Sequence, residues 1–589
     1  MALDLIVAYL IVFAAFNLGR FESSDICLGA LFILIYSLIK SKINNSPIKN
    51  GLEFKKIPLI LSLILTALYW IYSADRLGGG MSSRLFVFCY GVLSLAGVFL
   101  LFYFAASKIL DWTGSRPERT ELEIPLLDEE GYGIRRFGVH RWLIFSGIIF
   151  ACLLPLFINN FPGTMTVDSF DQLEQVTGVT PYVDHHPWAH TLLISLFYNM
   201  GRAISGSSYV GIATYVFAQM IIMSLSMGYV IECMTELGLS RRGQALMILG
   251  YLGYPYNLAY AITIWKDVIF AAMVLVFTMT VYRTYRSATY LRKQSVRDGV
   301  LFVVSGTFMC LLRHNGLYAF ILTMAIMIII DVRRKIKPQI RYNVLASALV
   351  LAVTFAFNGP IQSAFGVEKV DFAHNIPIPL QQVARVVHNH GDISPRDMEM
   401  IERINVSSYL VQHYEPGGAD PTMQWVVYGD SEYLEAHKLE YLGLWIRLGF
   451  KNPHAYFDAY VDQTRGYYTT MYPEQTEYYG ILPNNMGLAP QSPIPVKIRF
   501  KINEILNKLG GMLPVYGILY SPGACLQLVL LGIAIILNKR DQARGKLVVY
   551  VPVLTLVLTV LIATPLCADL RYAYPLVLGM PTLIAITLT

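Results

Sequence analysis

Charge is scarce in this sequence. Asp, Glu, Lys and Arg supply 15% of its 589 residues, against 55% hydrophobic. That is too little to cover the surface of a soluble protein of this length. Cysteine clusters are missing as well: Cys27, Cys89, Cys152, Cys233, Cys310, Cys525 and Cys567 lie singly within or beside apolar runs, with no CxxC among them. A disulfide framework and a zinc knuckle both need closely spaced cysteines, so neither is expected. No soluble stretch carries a basic stripe with interleaved aromatics and the net charge is only +6, so nucleic acid is not an expected partner. The first apolar run, LIVAYLIVFAAFNLG, has no basic n-region and is followed by a second apolar run. It reads as a retained span, not a cleaved signal. No internal repeat is evident, which leaves the inverted repeats of many transporters without support.

What the sequence has in plenty is apolar runs of about 18 to 25 residues, the length that crosses a bilayer. Fourteen candidate spans lie near 4–19, 25–41, 57–74, 85–108, 141–159, 208–237, 243–262, 267–284, 299–312, 316–332, 341–357, 514–537, 546–563 and 571–588. The run around LGYLGYPYNLAY is weakened by Gly250, Gly253 and Pro255. Mean hydropathy is +0.49. The expected fold class is an all-α polytopic membrane protein, a bundle of fourteen transmembrane helices with amphipathic helices outside the membrane.

Lys and Arg in the short connections orient the bundle. SKINNSPIKNGLEFKK, SRPERT with GIRRFGVHR, LSRRG, RTYRSATYLRKQSVR, DVRRKIKPQIR and NKRDQARGK alternate correctly with the spans if all face the cytoplasm. The N-terminus is then cytoplasmic, and residues 160–207, 265–267, 313–315, 358–513 and 564–575 lie outside. One topology gathers almost every unusual polar residue on one membrane face. Lengthwise, 1–110 is a four-span segment, 111–140 a charged cytoplasmic linker, 141–357 a core with the outer loop 160–207, and 514–589 the last spans. Residues 358–513 form a Tyr-rich extracytoplasmic stretch. In it SEYLEAHKLEYLGLWIRLGF and NPHAYFDAYVDQTRGYY read as helices with one apolar face, lying on the membrane or on the bundle.

The densest chemistry is at 164–190, TMTVDSFDQLEQVTGVTPYVDHHPWAH. Asp168 precedes a helical pattern, Asp171 falls in its first turn and Gly178 ends it. Asp168 can be a helix cap, a general base at the outer mouth of the bundle, or both. Asn at this position separates the two roles, because it caps about as well but takes no proton. Pro187 suits a first helical position, and a helix N-terminus disfavours imidazolium, so His185 and His186 are expected to be neutral. Neutral imidazoles there can pack under the loop, hold a phosphate, orient a carboxylate or ligate a metal. As a metal motif the stretch is weak, since Asp168, Asp184 and His190 stand at no established ligand spacing.

Three further sites share that face. IWKDV puts Lys266 and Asp267 at a span end. CLLRHNGLY strands Arg313, His314 and Asn315 between two apolar runs. ADLRYAYP opens the last span with Arg571 and Tyr572. Each alone reads as an interfacial anchor. Three basic residues on one face, from spans far apart in sequence, point instead to an anion carried by a membrane lipid. If Lys266, Arg313 and Arg571 hold a lipid phosphate, its substituent can be displaced while the cations stabilise the charge left on the phosphate. Phosphate leaves without a strong acid, so one base suffices, where a water-using glycosidase needs two opposed carboxylates.

Taken in order, the outer loop with TMTVDSFDQ, then HHPWAHTLL, WKDV, LLRHNG and RYAYPL resemble the multi-pass bacterial members of the GT-C superfamily of integral-membrane glycosyltransferases. The resemblance covers about 140 to 589. It implies a GT-C-like bundle in the plasma (inner) membrane and a polyprenyl-phosphate-sugar donor. It also implies transfer to a glycan, lipid or protein acceptor of the cell envelope. By the same resemblance Asp168 is the base, Asp171 the neighbouring acidic candidate, His185 and His186 line the site, and Arg571 faces the lipid phosphate. The sequence departs from the pattern in having no second acidic residue adjacent to Asp168, which leaves a divalent ion, Mg or Mn, open. It departs again in its four additional N-terminal spans.

Three rivals use the same features. A transporter or flippase of an anionic lipid-linked glycan needs the cations but no base. A membrane O-acyltransferase needs a membrane His with an Asn-containing motif, for which RHN is the candidate. A structural scaffold leaves the stranded arginines without a purpose.

Overall fold

In a computed structural model of the chain, residues 9–12, 55–73, 84–115, 137–289, 295–405, 407–470, 480–512, 521–539 and 541–589 are described. The candidate spans 4–19 and 25–41, apart from 9–12, lie outside them, as does 116–136 of the linker. Among the described residues every regular element is helical, and β-type pairing is confined to isolated bridges. Eight of these helices are long and apolar enough to cross a membrane, and two shorter apolar helices cover Lys56–Ile71 and Pro522–Asn538. The chain is an all-α polytopic membrane protein.

The chain forms two compact units. The first comprises residues 1–119 and 526–545. In it Leu61, Ala106, Leu110, Ala534 and Ile535 share one apolar core, so a stretch late in the sequence belongs with the N-terminal helices.

The second unit carries the polar residues singled out above. It opens with α1 (Val139–Asn159), α2 (Val167–Thr177), α3 (Trp188–Ser205) and α4 (Ser208–Glu236). The helices α5 (Arg241–Leu252), α6 (Pro255–Ala261), α7 (Lys266–Thr289), α8 (Val296–Leu312), α9 (His314–Arg333) and α10 (Lys337–Ala356) follow. α7 is apolar on every side and buried along most of its length, as a helix without a polar face must be. It packs on α4 and α8, while α4 also packs along α1 and α3. Contact of α1 with α4 is close because Gly228 faces Ser146: a Cβ there would stand 2.2 Å from the Ser146 hydroxyl. Small residues let apolar helices approach in this way.

Two of the expected spans change. The candidate span 243–262 is not one helix. Pro255 has no N–H to donate and opens α6, and α5 ends just before Gly253, so the run breaks into pieces of 12 and 7 residues. The stretch 299–312 is helical within α8, but at 17 residues it is short for a span.

Within 358–513, the described residues between Phe372 and Tyr456 build a core of their own. The helices of 358–513 are α11 (Pro377–His388), α12 (Pro395–Ile404), α13 (Ser407–His413), α14 (Asp420–Tyr428), α15 (Ser431–Ala436), α16 (Lys438–Lys451), α17 (Pro453–Thr464) and α18 (Val496–Met512). Leu380, Val383, Ile401, Leu434, Leu444 and Leu448 meet at its centre. The segment expected as one helix with one apolar face is two helices, α15 and α16, with a break at His437. α16 is apolar on two opposite sides. The chain then closes with α19 (Val551–Ala563) and α20 (Leu570–Leu588).

Candidate active site

The loop before α2 is laid beside the loop before α7. Thr164 N–H donates to Ile262 O at 2.8 Å and Ile264 N–H to Thr164 O at 3.0 Å. Gly163 makes this possible: its φ is +141°, and a Cβ there would meet Val216 Cγ2 at 2.6 Å. Trp265 Nε1 then donates to Thr166 Oγ1 at 2.7 Å. Ser169 Oγ accepts from Thr166 N–H at 3.0 Å and donates to Ile264 O at 2.8 Å. The start of α2 is thereby pinned next to Lys266. Thr166, in extended conformation, is the N-cap, and Asp168 lies inside the first turn. That corrects the expectation of Asp168 as the cap and leaves its carboxylate free of backbone duty. Gly178 ends the helix as expected, and Pro187 stands one residue before α3 at its N-cap.

Asp168 Oδ2 meets Arg571 Nη1 at 3.1 Å, across 403 positions of sequence. Arg571 is also held by Asp569, through Nε at 3.0 Å and through the backbone N–H at 2.9 Å. Its guanidinium lies over the Trp265 ring at 5.0 Å. Arg313 is buried and ion-paired to buried Asp267. The same Nη1 reaches the carbonyl of Arg571 at 3.4 Å. Tyr572 lies beneath both arginines, 4.6 Å from Arg313 and 5.9 Å from Arg571. Lys266 Nζ donates to His186 Nδ1 at 2.7 Å, which puts the His186 proton on Nε2, facing Asp171 Oδ2 at 3.6 Å. Three cations therefore meet three carboxylates, Asp168, Asp267 and Asp569. The side chains of Asp168 and Asp171 are 31% and 50% exposed, while Asp267 and Asp569 are nearly enclosed. The open carboxylates form the mouth of the cluster and the closed ion pairs its floor.

Imidazoles line one side. The His185 ring stands 4.7 Å from that of His186 and 4.8 Å from that of His374. His314 Nε2 is 3.4 Å from the Asp184 carbonyl. His190, by contrast, is a core residue. Its Nδ1 is 2.9 Å from Gln172 Oε1 and its Nε2 2.6 Å from the Tyr215 hydroxyl, which fixes one neutral tautomer.

Electrostatics follow the geometry. Burial acts to raise the pKa of Asp168, but Lys266 and Arg571 outweigh it and hold the carboxyl well below the usual carboxylate range. Desolvation first, then Lys266, pushes His186 down. His185, whose ring reaches solvent, is pushed down to about 4 by desolvation and then by His186, His374 and Lys266. Both imidazoles are neutral near pH 7, chiefly through desolvation and not through a helix N-terminus. Asp420 is raised by desolvation, with Asp569 and Asp168 acting in the same direction against Arg571.

The structure thus brings Asp168, Lys266, Asp267, Arg313, Arg571 and Tyr572 into one cluster, with Asp171, His185, His186 and His314 at its edge. Asn315 is turned elsewhere, its amide donating to Thr559 in α19 at 3.3 Å. Asp267 is the counter-ion of Arg313, not a group awaiting a ligand. Sequence reasoning missed Asp569, Trp265, His374 and Asp420. The first two lie inside the motifs ADLRYAYP and IWKDV, two residues from Arg571 and one from Lys266, so adjacency could have found them. His374 and Asp420 come from the outer segment and carry no local signal. Among the described residues no group of three or more His, Cys, Asp or Glu side chains is placed to hold a metal ion.

The chain belongs to DUF6020, a family of unknown function, whose model matches residues 177–589. His185, His186, Lys266, Arg313 and Arg571 fall within that match, and Asp168 and Asp171 lie just before it. No curated protein and no solved structure matches the chain.

Proposed function

We propose that this protein is an integral-membrane glycosyltransferase of the GT-C kind. It moves a sugar from a polyprenyl-phosphate donor to a hydroxyl of a glycan, lipid or protein acceptor. The reading includes a cytoplasmic N-terminus and a site on the extracytoplasmic face of the plasma membrane. The observation that carries it is the Asp168–Arg571 ion pair at the mouth of the cluster: a half-open carboxylate directly beside a cation that is itself backed by aromatic rings. A small apolar crevice between α19 and α20 is lined by Tyr467, Val560, Leu576 and Tyr572, the last of which also lies against both arginines.

In this reading the donor phosphate binds Arg571 and Lys266. Asp168 and the phosphate are both anions, so the phosphate displaces Asp168 from Arg571. Freed from its cation, Asp168 regains basicity and takes the proton from the acceptor hydroxyl. The acceptor oxygen forms its bond to the anomeric carbon as the bond from that carbon to the phosphate oxygen breaks. The leaving polyprenyl phosphate keeps the electron pair, and the two cations stabilise its charge. Arg313 is a positioning residue. Neutralised by Asp267, it holds the Arg571 backbone and does not itself reach for phosphate.

The test is Asp168→Asn in nanodiscs, supplied with a polyprenyl-phosphate-sugar donor. Sugar transfer disappears while donor binding persists or tightens, because the competitor for Arg571 has lost its charge. Undiminished transfer overturns the base assignment. Donor moved across the membrane of sealed proteoliposomes by the variant, with no transfer in either protein, favours the flippase reading.

A further inference from the structure

The outward side of α16 carries an apolar stripe that the fold does not cover. Leu439 and Phe450 are 84% and 85% exposed, Ile446 is 51% exposed, and on the next helix Phe457 is 61% exposed. At 100° per residue Leu439, Ile446 and Phe450 fall on one line of α16. Tyr441, Leu444 and Leu448, which are buried in the core of the outer segment, fall on the opposite line. A helix apolar on both sides is covered on both sides in its working environment.

The position of the stripe says what covers it. α17 follows α16 directly. Its Tyr460 hydroxyl donates to Leu561 O at 3.2 Å and its Gln463 amide to Thr564 O at 2.8 Å. Leu561 and Thr564 mark the end of a helix long and apolar enough to cross the membrane. Phe457, less than one turn before Tyr460, is therefore held at the level where that helix leaves the bilayer. Four side chains present on the order of a few hundred Å² of apolar surface, short of the ~800 Å² per partner of a stable protein interface. The basic residues of α16, Lys438, Arg447 and Lys451, are already paired with Glu435, Asp397 and Asp392. Apolar burial, not attraction to anionic lipid, is what the face offers.

We infer that the α16–α17 hairpin docks into the leaflet on the site's side of the membrane, with Leu439, Ile446, Phe450 and Phe457 inserted at the boundary between headgroups and acyl chains. The occupant is the bilayer itself, including one of neutral lipid. The hairpin then fixes the height of the whole outer segment, which supplies His374 and Asp420 to the mouth of the cluster. This inference goes beyond the proposed activity and does not depend on it.

The experiment places p-benzoylphenylalanine at Leu439 or Phe450 of the full chain, with Glu399 on α12 as the solvent-facing control. The protein is irradiated in phosphatidylcholine nanodiscs and analysed by mass spectrometry. Lipid adducts are expected at 439 and 450 in at least tenfold the yield at 399. Yields equal to that at 399 overturn the inference, and chain-to-chain crosslinks from 450 overturn it in favour of a second copy as the occupant. Sugar transfer by Asp168→Asn is read separately, so either reading can fail without the other.

Discussion

Two ion clusters, each with three cations and three paired carboxylates, occupy the two ends of α7. Lys266 begins the helix, and Arg283 lies 17 residues further on, about 25 Å away along a helix axis. Around Arg283, three arginines (Arg141, Arg283, Arg297) face three carboxylates (Glu232, Glu236, Asp298). There two of the three carboxylates are saturated, and Glu236 keeps Arg283 alone at 2.7 Å. Glu232 takes Arg141 at 2.6 and 3.0 Å and the Gly138 N–H at 2.6 Å. Asp298 takes Arg283 at 2.8 Å and Arg297 at 3.0 Å. Around Lys266 the count is also three against three, but Asp168 has a single ion-pair partner and an open side. Asp171 and Asp420 add further acid, and imidazoles line one side. A saturated cluster holds helices together, whereas one with an open, exchangeable carboxylate can take a ligand. Charge inventory alone does not distinguish the two; satisfaction and exposure do.

The largest expected effect is at the open end. Asp168→Asn lowers sugar transfer by a factor on the order of 10² to 10⁴, with the melting temperature in detergent unchanged. Equal losses of both would make Asp168 another structural ion. At the saturated end Arg283→Met strands Glu236, leaves Asp298 with Arg297 alone, and costs about 3–5 kcal/mol of stability. It should appear as a lowered melting temperature with normal transfer per folded molecule. Asp267→Ala tests the floor between these cases. Arg313 loses its buried partner, so stability and transfer fall together, and a loss confined to one of them would break the assignment of Arg313 as a positioning residue.

A smaller effect concerns acid. His186 is buried and its pKa is depressed in the folded state, so the unfolded chain binds its proton first as pH falls below about 6.5. The unfolded state then holds more protons, and stability decreases on acidification through that window. Melting temperature between pH 7.5 and 5 should fall less steeply in His186→Gln than in the parent protein. Least of all is Ala568→Gly. Ala568 has φ +62° just before Asp569, a conformation that costs a residue with a Cβ about 1 kcal/mol. The variant should melt at the same temperature or slightly higher, with transfer retained.

Much of this was legible in the sequence because it depends on local pattern. Apolar run length gave the helices, and Gly178 gave the end of α2. Pro255 gave warning of the break that divides 243–262. The cap was misplaced by two residues because Thr166 and Asp168 are both good N-caps. What selects Thr166 is a hydrogen bond from Trp265, nearly a hundred positions away. Arg313 was read as an anion ligand because its partner Asp267 was read as another polar group at a span end. Sequence shows that two charges share a membrane face, not that they neutralise each other. The second apolar side of α16 was hidden for a related reason. Its residues fit one amphipathic pattern until burial shows which of them the core takes.

By itself, then, the sequence determined that this chain is a bundle of apolar helices whose ionisable residues collect around particular connections. In a medium that cannot solvate a bare charge, such residues have few places to go. Tertiary structure alone decided which acid meets which base: Asp168 with Arg571, Asp267 with Arg313, Lys266 with His186. Those pairings fall off steeply with distance, and distance across hundreds of residues is set by how α2, α7 and α20 pack, not by any feature of the segments that carry the charges.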